Sequence, residues 1–133
     1  MLNKRLGHVR MAAPHAHAQE AALAAEAAGF QGLFWEMHDL LYREQAIWSK
    51  VDDAPALFRG YAGMLGLNLK RFKTDMDSPE AKERVACDQK RGAASGISST
   101  PTIFVNDRQI PALVEIASVR TAIDAALKSK SPP

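Results

Sequence analysis

The chain has 133 residues, 47% of them hydrophobic and 24% charged, a length and balance that suit one folded domain with its own core and exclude disorder. Basic side chains number 17 and acidic ones 15, spread along the sequence for a net charge of +2, so no basic stripe points to nucleic acid or a membrane surface. A single cysteine excludes an internal disulfide and leaves the compartment open, and the absence of a run of about 18 apolar residues excludes a predicted transmembrane helix.

In chain order, Leu6 to Met11 alternates loosely between apolar and polar residues and reads as a weak strand ended by Pro14. Lys4, Arg5 and Arg10 precede only Met11-Ala12-Ala13, too short for the apolar region of a signal peptide, so no export address is expected. Ala16 to Ala28 is alanine-rich and predicts a helix, with Gly29 as its left-handed cap. A second helix is predicted from Leu33 to Gln45, its buried face made of Phe34, Met37, His38 and Leu41. On this reading His38 is a core histidine, and Trp35 and Trp48 pack in the core or between helices.

Ala46 to Asp53 reads as a loop. Asp52 or Asp53 then caps a third helix that has Pro55 in its first turn and stops at Gly66. Asn68 caps a short helix ending near Met76, and Ser78-Pro79-Glu80 opens a long one running to Ser95 and stopping at Gly96. Thr102 to Val105 predicts a short buried strand with Pro101 at its start, Asn106-Asp107 a two-residue turn, and Arg108 to Ile110 the returning arm. Val114 to Leu127 predicts a closing amphipathic helix with Ile116, Val119, Ile123 and Leu127 on one face, before a frayed tail. Thr100-Pro101 is a candidate cis peptide, although spacing alone favours trans, since about 5–6% of X–Pro bonds in folded proteins are cis.

Taken together, Gly96-Ile97-Ser98-Ser99-Thr100-Pro101-Thr102, the His15-Ala16-His17-Ala18 motif, Ala24-Ala25-Glu26-Ala27-Ala28-Gly29, Phe34-Trp35-Glu36-Met37-His38-Asp39-Leu40-Leu41 and Leu65-Gly66-Leu67-Asn68 resemble, in order and spacing, the DsbA-like thioredoxin-fold proteins. The resemblance runs from about His8 to Leu127. It implies an α/β, thioredoxin-like fold with a helical insertion, in which 1–14 and 97–129 are the thioredoxin-fold remnant and 15–96 the helical block of a single domain. It also implies thiol-disulfide oxidoreductase activity, usually outside the cytoplasm, and a cis-proline loop in which Ser99, Thr100 and Pro101 bind the substrate's extended chain. The physical logic is that Pro101 lacks an N–H, so the neighbouring backbone can face outward and pair with a partner strand.

Members of that family work through a Cys-x-x-Cys pair at the start of their first helix. The one cysteine here is Cys87, so the first strand and active-site helix are expected to be missing ahead of His8. Cys87 itself is expected mid-helix, beyond the end charges that would favour its thiolate, and to pack as an inert thiol. Arg84 and Arg91 favour a thiolate, while Glu83 and Asp88 oppose it. The expected function is therefore a redox-inactive member that keeps its peptide-binding loop, with no catalytic residue except Cys87 as a weak candidate. The alternative is an active oxidoreductase using Cys87 or a partner's cysteines. A glutathione-linked transferase of the same superfamily lacks a positioned serine. His15 and His17, two apart, point to different helix faces without a third ligand, so no metal and no cofactor is expected. A sheet without its central strand leaves open edges and apolar faces, which predicts a homodimer, with exchanged elements as one form of it; the other expected partner is an extended peptide or protein thiol.

Overall fold

The computed structural model describes residues 17–111 and 115–129. It divides into two compact units between Gly96 and Ile97. The expected strand at Leu6 to Met11 and His15 lie outside the described residues.

The first unit is helical, with α1 (Ala18–Gly29), α2 (Phe34–Arg43), α3 (Gln45–Trp48), α4 (Ala54–Met64), α5 (Leu69–Asp77) and α6 (Pro79–Ala94). Its axle is α1, which lies against α2, α4, α5 and α6. Ala21, Ala24, Ala25, Ala27 and Ala28 are buried there. Alanine combines the best helix propensity with a side chain that ends at Cβ, so four neighbours approach one short helix closely. Around it Met37, Leu40, Leu41, Trp48, Phe58, Tyr61, Leu67 and Phe72 complete a single core.

Helix boundaries follow local chemistry. The Asp53 carboxylate accepts from the Ala56 N–H at 3.0 Å, Asn68 Oδ1 from the Arg71 N–H at 2.9 Å and Ser78 Oγ from the Ala81 N–H at 3.2 Å, so α4, α5 and α6 each begin on a side-chain cap. Helix α4 closes with the Leu67 N–H on the Ala62 carbonyl and Gly66 at φ 74, a Schellman stop.

The stop of α1 differs from the sequence reading. Gly29 stays helical, and the left-handed residue is Gly32 at φ 84, with the Leu33 N–H bonded to the Ala28 carbonyl at 3.0 Å. Gly29 has a different reason to be glycine: a Cβ there would lie 3.3 Å from Phe34 Cβ, so the bare backbone lets the start of α2 pack closely. The stretch read as a loop after Gln45 contains α3, whose Trp48 is buried and donates its indole N–H to the Leu41 carbonyl at 2.7 Å.

Helix α2 is also rotated from its predicted face. Met37, Leu40 and Leu41 are buried, whereas Trp35 is 43% and Tyr42 63% exposed and His38 is only half-buried. Apolar residues stand on both sides of this helix, and the aliphatic side takes the alanine surface of α1. His38 is thus not a core histidine, and of the two tryptophans only Trp48 is buried.

The second unit holds β1 (Phe104–Val105), β2 (Arg108–Gln109) and α7 (Ile116–Ser129). The strands are antiparallel, Phe104 opposite Gln109 and Val105 opposite Arg108, and Asn106 takes the positive φ of 52 that the two-residue turn requires. The Ile110 N–H adds a bond to the Ile103 carbonyl at 2.9 Å. Strand β1 begins later than read because Thr102 turns its hydroxyl back onto the Ser99 carbonyl and so belongs to the loop. Helix α7 lies beside β1 and buries none of its residues.

Candidate functional site

The segment feeding β1 is exposed at every position from Ser98 to Pro101. Its geometry is held from the strand side: Thr102 Oγ1 donates to the Ser99 carbonyl, while Ile103 is tied to Ile110. The Thr100–Pro101 peptide is cis. Ser99, Thr100 and Pro101 therefore share one short exposed loop, and Pro101 contributes no N–H to it. Such a loop can pair its main chain with an extended segment, and the side chains it brings are the hydroxyls of Ser98, Ser99 and Thr100.

Cys87 belongs to the first unit. It is the ninth residue of α6 and is exposed, which corrects the expectation that it packs. The face of α6 that is buried runs through Ala81, Val85, Asp88 and Gly92, and position 87 falls off that stripe. Arg84 is bound to Glu80 at 2.9 Å and faces Glu26 at 3.6 Å, with its guanidinium 4.6 Å above the Phe30 ring. Arg91 sits 3.4 Å from Asp88. Both guanidiniums flanking Cys87 are thus engaged by carboxylates, and the thiol stands beyond the first turn, where helix-end charge acts.

One arrangement escaped the sequence reading. At the start of α1, His17 Nδ1 bonds the Glu20 carboxylate and Nε2 lies 2.8 Å from the Val51 carbonyl. Both partners are acceptors, so the doubly protonated ring satisfies both. The Glu20 carboxylate, with the Val51 carbonyl and the Asp52 charge, raises the imidazole above its ordinary value of 6.5 against the effect of burial. The signal was present in the spacing, since His17 and Glu20 stand three apart at the start of α1, where helical neighbours share a face. A second is the aromatic ladder on the outer side of α2, where Trp35 and His38 rings are 5.0 Å apart and His38 and Tyr42 4.8 Å. Among the described residues no three of His, Cys, Asp and Glu gather as metal ligands, and no helix is long and apolar enough to cross a membrane.

The thioredoxin family profile matches residues 6–125. The chain belongs to the thioredoxin family. This thioredoxin-like domain is also similar to stretches of proteins named as sodium–proton antiporters: it is 40% identical over 119 residues to one from Salinispora arenicola, 36% over 118 residues to one from Herminiimonas arsenicoxydans and 38% over 122 residues to one from Salinispora tropica. Those alignments take in 89–92% of the chain but 18% of each relative, so the thioredoxin domain spans under a fifth of the curated relatives it matches. No solved structure matches it.

Proposed function

We propose that this thioredoxin-family chain is a DsbA-like module that holds an extended peptide or protein thiol at Ser99, Thr100 and Pro101 and does not turn over disulfides by itself. The observation that carries the reading is the exposed Ser98–Pro101 segment anchored through Thr102 to the β-hairpin. It is an exposed, anchored loop next to a residue with no donor, which suits strand addition by a partner. Release of a mixed disulfide needs a second thiol, and the sequence carries Cys87 alone. Insulin reduction with dithiothreitol is the test: the expected rate equals the uncatalysed one. Turnover that disappears in Cys87→Ala would establish the rival reading, an oxidoreductase working through Cys87.

The relatives favour a second reading of context. Proteins named as sodium–proton antiporters contain a stretch like nearly all of this chain, which supports a module that works alongside such a transporter. Binding of this chain to the Salinispora arenicola antiporter lacking its matching 119 residues tests it; saturable binding is expected, and none would overturn it.

A further inference from the structure

Helix α7 presents an open apolar stripe. Ile116 is 83%, Ile123 43% and Leu127 63% exposed, and at 100° per residue the three fall within about 40° of one another over about 16 Å of helix. Val119, Ala122 and Ala126, which are partly covered, lie on the neighbouring stripe. Along the other flank of the open stripe stand exposed Arg120 and Asp124. Isolated surface leucines are ordinary, whereas three β-branched or long aliphatic residues aligned on the uncovered side of a helix mark a contact surface.

The order of residues along the stripe says what covers it. A two-fold axis crossing α7 between residues 121 and 122 sets Ile116 opposite Leu127 of a second copy, and Leu127 opposite its Ile116. The same axis lays Ile123 on the aliphatic stem of the second copy's Arg120 and brings each Arg120 guanidinium beside the other copy's Asp124 carboxylate. Because that axis keeps each flank on its own side, these charges meet twice. A parallel pairing would instead lay this charged flank against the Val119, Ala122 and Ala126 flank of the second copy, where neither Arg120 nor Asp124 meets an opposite charge, and would align the helix dipoles unfavourably. We infer that α7 is the self-complementary surface of a homodimer, paired antiparallel through Ile116, Ile123 and Leu127 with reciprocal Arg120–Asp124 contacts. The contact is isologous, so it closes at two copies. Two helices of this length make a small interface, with a dissociation constant on the order of tens of micromolar.

Charge reversal with mixing tests the inference on the full chain. Arg120→Glu and Asp124→Arg each place like charges together in the homodimer, and each is expected to raise the dissociation constant about tenfold by sedimentation velocity. An equimolar mixture of the two variants restores both opposite-charge contacts between unlike copies. It is expected to dimerise within about threefold of the unaltered chain, an effect that changes within one helix cannot produce. Ile123→Lys is expected to be monomeric, with far-UV circular dichroism unchanged. A chain that stays monomeric up to several hundred micromolar, single variants that dimerise normally, or a mixture no tighter than its components would each overturn it.

Discussion

The side-chain amide of Gln31 is clamped across the backbone of Asn68, donating to its carbonyl at 3.2 Å and accepting from its N–H at 2.9 Å. The turn after α1 is thereby tied to the residue that caps α5, and Arg71 adds a bond from its guanidinium to the Phe30 carbonyl at 3.0 Å. Gln31→Ala should lower stability by about 1 kcal/mol, the net worth of two exposed hydrogen bonds. Asn68→Ala, which removes the cap but keeps the backbone pairing, should cost a similar amount. Urea denaturation of the two single variants and the double checks this, and strict additivity would show that the two residues do not act together.

The two glycines after α1 should respond to alanine for different reasons. Gly29→Ala pushes Cβ against Phe34, at 3.3 Å, and should destabilise by about 1–3 kcal/mol through overpacking. Gly32→Ala has free space around it but keeps φ at 84, and should cost about 1–2 kcal/mol through backbone strain. Adding Phe34→Gly, which removes the Cβ that the new methyl would meet at 3.3 Å, should reduce the penalty of the first and leave that of the second unchanged.

His17 gives the first unit a pH-dependent fastening. Its pKa is raised in the folded chain by Glu20 above all, so its contribution to stability is full below the unfolded value and fades as pH rises through the folded one. The melting temperature should therefore fall as pH rises past the ordinary histidine value of 6.5, and His17→Gln should flatten that fall.

Cys87 is exposed on α6. It should react fully with Ellman reagent in the folded state, and Cys87→Ala should change stability by less than about 0.5 kcal/mol, as surface substitutions do. A thiol titrated only in denaturant would contradict this.

Much of this architecture can be read from residues whose effect is local. Asp53, Asn68, Ser78 and Gly66 announce helix boundaries because caps and left-handed stops act through their own side chains or backbone. Helix α2 was harder: with Phe34, Trp35, Met37, Leu40, Leu41 and Tyr42 around its circumference, periodicity cannot choose a face, and the alanine surface of α1 decides. Helix α3 is one turn long and held by Trp48, a tertiary contact that propensity does not register. At the loop, Pro101 marked the site, but the Thr102 hydroxyl bond that shortens β1 depends on the fold of the turn. The amphipathic stripe of α7 was visible in sequence, while its exposure was not.

The central claim is that Ser99, Thr100 and Pro101 receive an extended chain. The most direct measurement is a 1H–15N chemical-shift titration of the full protein with reduced, alkylated insulin B chain. Saturable shifts centred on the amides from Ile97 to Ile103, abolished by a bulky substitution such as Ser99→Trp, are the predicted result. Shifts confined to other surfaces, or none at saturating peptide, would contradict it.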